Sequence, residues 1–165
     1  MASMSVRVQN YCRTSFSFKI ERLLQNLLRV VPQEHLIGLD SIILVGQVTS
    51  KKSREQKAGG LYWQKWRQRP ATIEIALDEI YRGVPKIVLH LPFIPKFILA
   101  NALYHEIGHH YQQRFTHAAK NVGREEFAEK YKKQLLQKAF VGWRLLFLPL
   151  APLIRWMRRR VLRAA

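Results

Sequence analysis

His105-Glu106-Ile107-Gly108-His109 is the stretch on which the reading of this chain turns. Two histidines four residues apart on a helix share one face, close enough for both imidazoles to hold one metal ion. A glutamate directly after the first histidine can reach a water on that ion, with the metal as Lewis acid and the carboxylate as general base. The flanking residues read as a helix opening at Pro95, where proline is tolerated. Phe97, Ala100, Leu103, Tyr104, Ile107, Tyr111 and Phe115 form one apolar stripe at helical spacing. His105 and His109 lie off that stripe beside Ile98 and Ala102, so the helix buries one side and turns its histidines to a cleft. Gly108 costs about 1 kcal/mol against alanine in mid-helix, which predicts that a neighbouring element packs closely there.

A catalytic zinc needs three protein ligands and an open position. Phe115 stands where a third histidine in HExxHxxGxxH would be. His110 is a poor ligand, because at about 100° per residue it points roughly 140° from His105. His117 could bind only after a sharp break in the helix. Residues from Gly123 to about Phe140 read as a second helix with Asn121 as N-cap. Its apolar face is Ala128, Tyr131, Leu135 and Ala139. Glu125 sits about 60° from that face and Glu126 about 160° from it. Glu125 is therefore the better ligand, with Glu126, Glu129 and His117 as alternatives. Glu129, one turn beyond Glu125, is placed to orient a zinc histidine from behind. The competing reading makes all three glutamates a solvated face balancing Arg124, Lys130, Lys132 and Lys133.

His105-Glu106-x-x-His109, followed by Glu125 and then Glu129 on the next helix, resembles the gluzincins, the group of zinc peptidases that includes the thermolysin-like enzymes. In length the chain looks most like the minimal single-domain forms, the minigluzincins. The likeness covers about Ile98 to Tyr131. The spacing from His109 to Glu125 is shorter than the family's, and no asparagine precedes Glu125. The resemblance implies Zn²⁺ held by His105, His109 and Glu125, with Glu106 as general base toward the zinc-held water that hydrolyses a peptide bond. It also implies a small twisted sheet over the zinc helix whose edge strand pairs with an extended peptide substrate. Residues 71–77 are the candidate for that strand. Tyr131 and His117 are candidates for a donor to the oxyanion.

Hydropathy patterning supplies the remaining elements. Residues 15–31 read as an amphipathic helix ended by Pro32. Residues 39–48 read as a buried strand, 51–57 as a basic loop, and 61–67 as a strand or loop with exposed aromatics. Ala71 to Leu77 alternates as a half-buried strand, and 78–85 is a turn-rich connection. The expected fold is α+β: a small twisted β-sheet packed on an N-terminal helix and the zinc helix, then the glutamate helix and a basic apolar tail. Residues 1–141 form the metallopeptidase domain and 142–165 the tail.

The chain has 165 residues, 28 basic and 11 acidic side chains and a formal charge of +17. Such a charge favours polyanions, whether phospholipid headgroups, nucleic acid or acidic proteins. Cys12 is the only cysteine, so no intrachain disulfide forms. Arg7, Arg13 and Lys19 interrupt any apolar N-terminal run, and a cytoplasmic location is the expectation. In the tail, Leu145 to Ile154 is apolar, flanked by Trp143 and Trp156 and followed by Arg155, Arg158, Arg159, Arg160 and Arg163. Ten residues are too few to span a bilayer that needs about twenty. The tail suits peripheral binding to an anionic membrane surface, or it folds back over the core. Two further classes stand beside the zinc endopeptidase. One is a nucleic-acid-associated metalloprotease resembling the SprT group, with His117 or a later residue as third ligand. The other is a non-enzymatic basic protein that binds membranes or nucleic acid.

Overall fold

A computed structural model of the chain describes residues 6–91, 93–115 and 123–141. The fold is α+β, with four strands in one sheet and seven helices among the described residues. Strand β1 (Arg7–Asn10) leads through α1 (Ile20–Leu28) and α2 (Gln33–Leu36) to β2 (Leu39–Val45). A one-turn helix α3 (Lys51–Glu55) precedes the hairpin β3 (Gly60–Trp63) and β4 (Ala71–Ala76). Two short helices, α4 (Leu77–Ile80) and α5 (Lys86–Leu89), lead into the long helix α6 (Phe93–Phe115). Helix α7 (Arg124–Ala139) completes the described chain.

The sheet order is β1-β2-β4-β3. β1 and β4 flank β2 in parallel, while β3 pairs antiparallel with β4 and forms an edge. Side chains alternate across a strand, so Ile42, Leu44, Ile73 and Ile75 share one face, and all four are fully buried. Leu24 and Leu27 of α1 and Leu99, Leu103, Tyr104 and Ile107 of α6 close over that face. The Tyr104 hydroxyl donates to the Leu27 carbonyl at 3.1 Å, which ties α6 to α1 without leaving a polar atom unsatisfied.

The expected close approach at Gly108 is present. A Cβ there would lie 2.9 Å from the Ala128 Cα and 3.2 Å from its carbonyl oxygen. Only glycine lets α7 cross α6 at this distance, and that crossing brings the two helices' polar side chains together.

Several expectations need correction. Residues 71–77 are not an edge strand: β4 lies between β2 and β3 and is buried along most of its length. The edge beside α6 is β3. The helix expected over 15–31 is only α1, Ile20–Leu28. Phe16 and Phe18 instead reach the Tyr81 ring at 5.2 and 5.7 Å, and the chain tightens through Val30 and Val31 before Pro32 starts α2. Strand β2 stops at Val45, and at the following Gly46 the Asp78 carboxylate approaches the backbone, 2.6 Å from where a Cβ would lie. The basic loop contains helix α3, capped by Ser50, whose hydroxyl accepts from the Ser53 N–H at 3.4 Å. Helix α6 starts two residues before Pro95, which then sits in the first turn and forfeits no intrahelical bond. Phe97, placed on the buried stripe, is 41% exposed and stands edge-on to the Phe140 ring. Gly123, at φ 99°, is the N-cap of α7. Asn121, His117 and the tail from 142 lie outside the described residues. Strand β1 was not anticipated, because Arg7-Val8-Gln9-Asn10 is too short and polar to read as a strand. No described helix is long and apolar enough to cross a membrane.

Candidate metal centre

His105 and His109 project from adjacent turns of α6, off its buried face, and are about one-fifth exposed. Their Nε2 atoms are 3.2 Å apart, and the rings stand almost perpendicular at 88°. Glu125, in the first turn of α7, brings one carboxylate oxygen 3.3 Å from His105 Nε2 and the other 3.5 Å from His109 Nε2. The three residues form one group whose donor atoms all lie within 4.8 Å of each other. Zinc bonds of about 2.0–2.1 Å at a tetrahedral angle separate neighbouring ligand atoms by about 3.3 Å. The two imidazole nitrogens already have that spacing, and Glu125 presents one oxygen to each of them. Two neutral imidazoles and one carboxylate are also a donor set zinc accepts.

Glu129 and Lys132 stand behind this triangle. Glu129 Oε1 is 3.2 Å from His105 Nδ1, off the line of a hydrogen bond, and Lys132 Nζ donates to the same oxygen at 2.5 Å. Lys132 holds the Glu129 carboxyl below its ordinary value. An anionic carboxylate against Nδ1 favours the tautomer that leaves His105 Nε2 free to ligate. Burial pushes the His109 imidazole down, and the neighbouring His105 adds to this. A neutral imidazole is the form a metal binds.

Glu106 lies on the inner side of the triangle, against β3. It is 7% exposed, and a Cβ at Gly60 would fall 2.8 Å from its Oε1. Its carboxylate accepts from the Tyr62 backbone N–H. Burial pushes Glu106 up to about 8, with the Glu125 charge adding to the effect and the Tyr62 N–H opposing it. A carboxyl balanced near neutrality can both take and return a proton.

These groups line a cleft of about 660 Å³ between β3 and the two helices. Its far wall carries Gln64 and Gln113, which are hydrogen-bonded to each other, and its mouth carries Arg124. Glu126 is exposed outside the group. His110 turns inward, within 3.2 Å of both the Tyr62 hydroxyl and the Ile37 carbonyl. Tyr131 is 6% exposed, and its hydroxyl pairs with His35 Nδ1 at 2.8 Å, so it is core and not an oxyanion donor. Gly60, Tyr62 and Lys132 were not singled out from the sequence. The three-residue spacing of Glu129 and Lys132 was a legible signal. Gly60 is where the edge strand makes room for the Glu106 carboxylate.

No protein-family model, curated protein or solved structure matches this chain.

Proposed function

We propose that this chain is a zinc-dependent metallopeptidase in which His105, His109 and Glu125 hold the ion. The observation that carries the proposal is the pair of imidazole Nε2 atoms 3.2 Å apart with the Glu125 carboxylate set across them, one oxygen 3.3 Å from His105 Nε2 and the other 3.5 Å from His109 Nε2. A bound zinc would supply an activated water and a Lewis acid for the substrate carbonyl. Glu106 takes the proton as the water oxygen bonds to the carbonyl carbon. It then delivers that proton to the amine nitrogen as the carbon–nitrogen bond breaks. Its dry position against Gly60 and Tyr62 raises its proton affinity, and a cation held by the neighbouring histidines would draw it back down.

Edge strand β3 gives an extended peptide a place to lie. In the ladder with β4, alternate backbone groups of β3 point away from its partner. A peptide paired on that side runs along the cleft past Glu106, which holds its backbone in register. The single half-buried thiol of Cys12 suits a reducing compartment such as the cytoplasm.

Zinc content of the purified chain tests the reading, together with cleavage of a quenched fluorescent casein. One ion per chain is expected. Glu125→Ala should lose both ion and activity, Glu126→Ala should keep both, and Glu106→Gln should keep the ion and lose cleavage. Zinc retained in Glu125→Ala, or cleavage retained in Glu106→Gln, overturns the assignment.

A further inference from the structure

We propose that the β3–β4 hairpin and the groove beside it bind single-stranded nucleic acid, with bases stacking on Trp63 and Trp66 and phosphates meeting Lys65, Arg67 and Arg69. The inference is independent of the peptidase reading. Every residue from Trp63 to Pro70 is exposed, Trp63 by 43% and Trp66 by 62%. From Gln56 to Ile73 there is no acidic residue, and the whole chain carries +17. Aromatic rings interleaved with cations are the surface that unpaired bases and their phosphates require.

The local backbone shows that the arrangement is built. Trp66 and Arg69 close the hairpin with reciprocal hydrogen bonds of 3.0 and 2.9 Å, leaving Arg67 and Gln68 at its tip. Arg67 has φ 51°, a conformation that glycine adopts freely and arginine does not. A charged side chain kept at a strained position points to a use for the charge. Trp63 is oriented by its indole N–H, which donates to the buried Glu74 carboxylate at 2.9 Å. Thr49 satisfies the same carboxylate through its N–H at 2.8 Å and its hydroxyl at 2.7 Å. The ring is thereby fixed before any ligand arrives, which lowers the entropy lost on binding. Trp63, Trp66, Arg69, Thr72 and Ile43 line a groove of about 640 Å³ on the face of the sheet opposite the core, and Glu74, whose carboxylate is taken up by Thr49 and the Trp63 indole, also lines it.

The geometry favours a nucleic acid strand over a lipid surface. A membrane-inserting hairpin presents apolar residues at its tip, whereas this tip is Arg67 and Gln68. The site is concave, and the Trp63 N–H that would meet a headgroup is already committed to Glu74.

The test is fluorescence anisotropy of the full chain with a labelled 15-nucleotide oligothymidine, a duplex of equal length, and vesicles containing phosphatidylserine. Oligothymidine should bind more tightly than the duplex, because only unpaired bases can stack. Trp66→Ala should weaken the oligothymidine by roughly tenfold and the duplex little. Arg67→Gly with Arg69→Gln should flatten the slope of log affinity against log salt by about 1.4, two phosphate contacts at roughly 0.7 each. Arg67→Gly alone should raise the melting temperature while weakening binding, which separates lost contact from lost fold. Equal affinity for duplex and single strand, or unchanged binding in these variants, overturns the proposal. So does vesicle binding that falls in Trp66→Ala while oligothymidine binding does not.

Discussion

Gly108→Ala tests the crossing on which the proposed metal centre depends. On an open helix surface this change stabilises by about 0.8–1.0 kcal/mol through helix propensity alone. Here the new methyl would sit 2.9 Å from the Ala128 Cα, whereas ordinary contact begins at 3.4 Å. Two of the three close neighbours are backbone atoms of α7 and the third is the Ala128 Cβ, so no flexible side chain can swing away. The helices must part by about 0.5 Å at this point, and overpacking of that kind costs roughly 1–3 kcal/mol. The expected net effect is a loss of about 1 kcal/mol, the opposite sign from an open helix. The same displacement carries Glu125 away from the histidines and stretches separations of 3.3 and 3.5 Å further past the roughly 3.3 Å that tetrahedral zinc bonds set. Zinc affinity should fall about tenfold. Urea unfolding of the metal-free protein measures the first effect, and competition with a chromogenic chelator the second. A variant that is more stable by about 1 kcal/mol and binds zinc as before would refute the reasoning.

Other perturbations have defined signs. Glu106 rises from an ordinary 4.5 to about 8, so between those values the folded metal-free protein holds a proton that the unfolded chain has released. Stability should therefore decline as pH climbs through this window, by at most about 5 kcal/mol for 3.5 units at 1.36 each. In Glu106→Gln that decline should vanish in urea titrations at pH 5 and pH 9 with a chelator present. Glu129→Gln removes the charge behind His105 Nδ1 and should weaken zinc binding by about tenfold with little change in fold, read by the same chelator competition. Trp63→Phe keeps a ring but withdraws a donor from the buried Glu74 carboxylate. It should cost about 1 kcal/mol in urea unfolding, with Thr49 still in place. A cost near zero would mean that water replaces the indole.

The helical part of the fold was the more legible in the sequence. Periodicity marked α6 and α7, and angular spacing separated Glu125 from Glu126, because both follow from the 3.6-residue turn and need no partner. Gly108 was readable for the same reason, as a residue out of place in a helix interior. The sheet was harder. β4 alternates as a half-buried strand does, yet it is interior to the sheet, because β3 pairs along its second edge, and Trp63 and Thr49 shield Glu74 on its outer face. β1 carries too few apolar residues to stand out, and its pairing depends on β2, which comes thirty residues later. The surroundings of Glu106 were illegible for a related reason. Gly60 and Tyr62 reach it only through tertiary packing, and local spacing holds no record of that contact.

The histidines and Glu125 come from two helices consecutive in sequence, so a bound cation would bridge positions only sixteen residues apart, from His109 to Glu125. Closing so short a loop costs little chain entropy, and the contacts it forms are local. A cation captured there would staple α6 to α7 before the sheet's long-range pairings were complete. The rate of refolding, as well as the final stability, would then depend on whether zinc is present when the chain collapses.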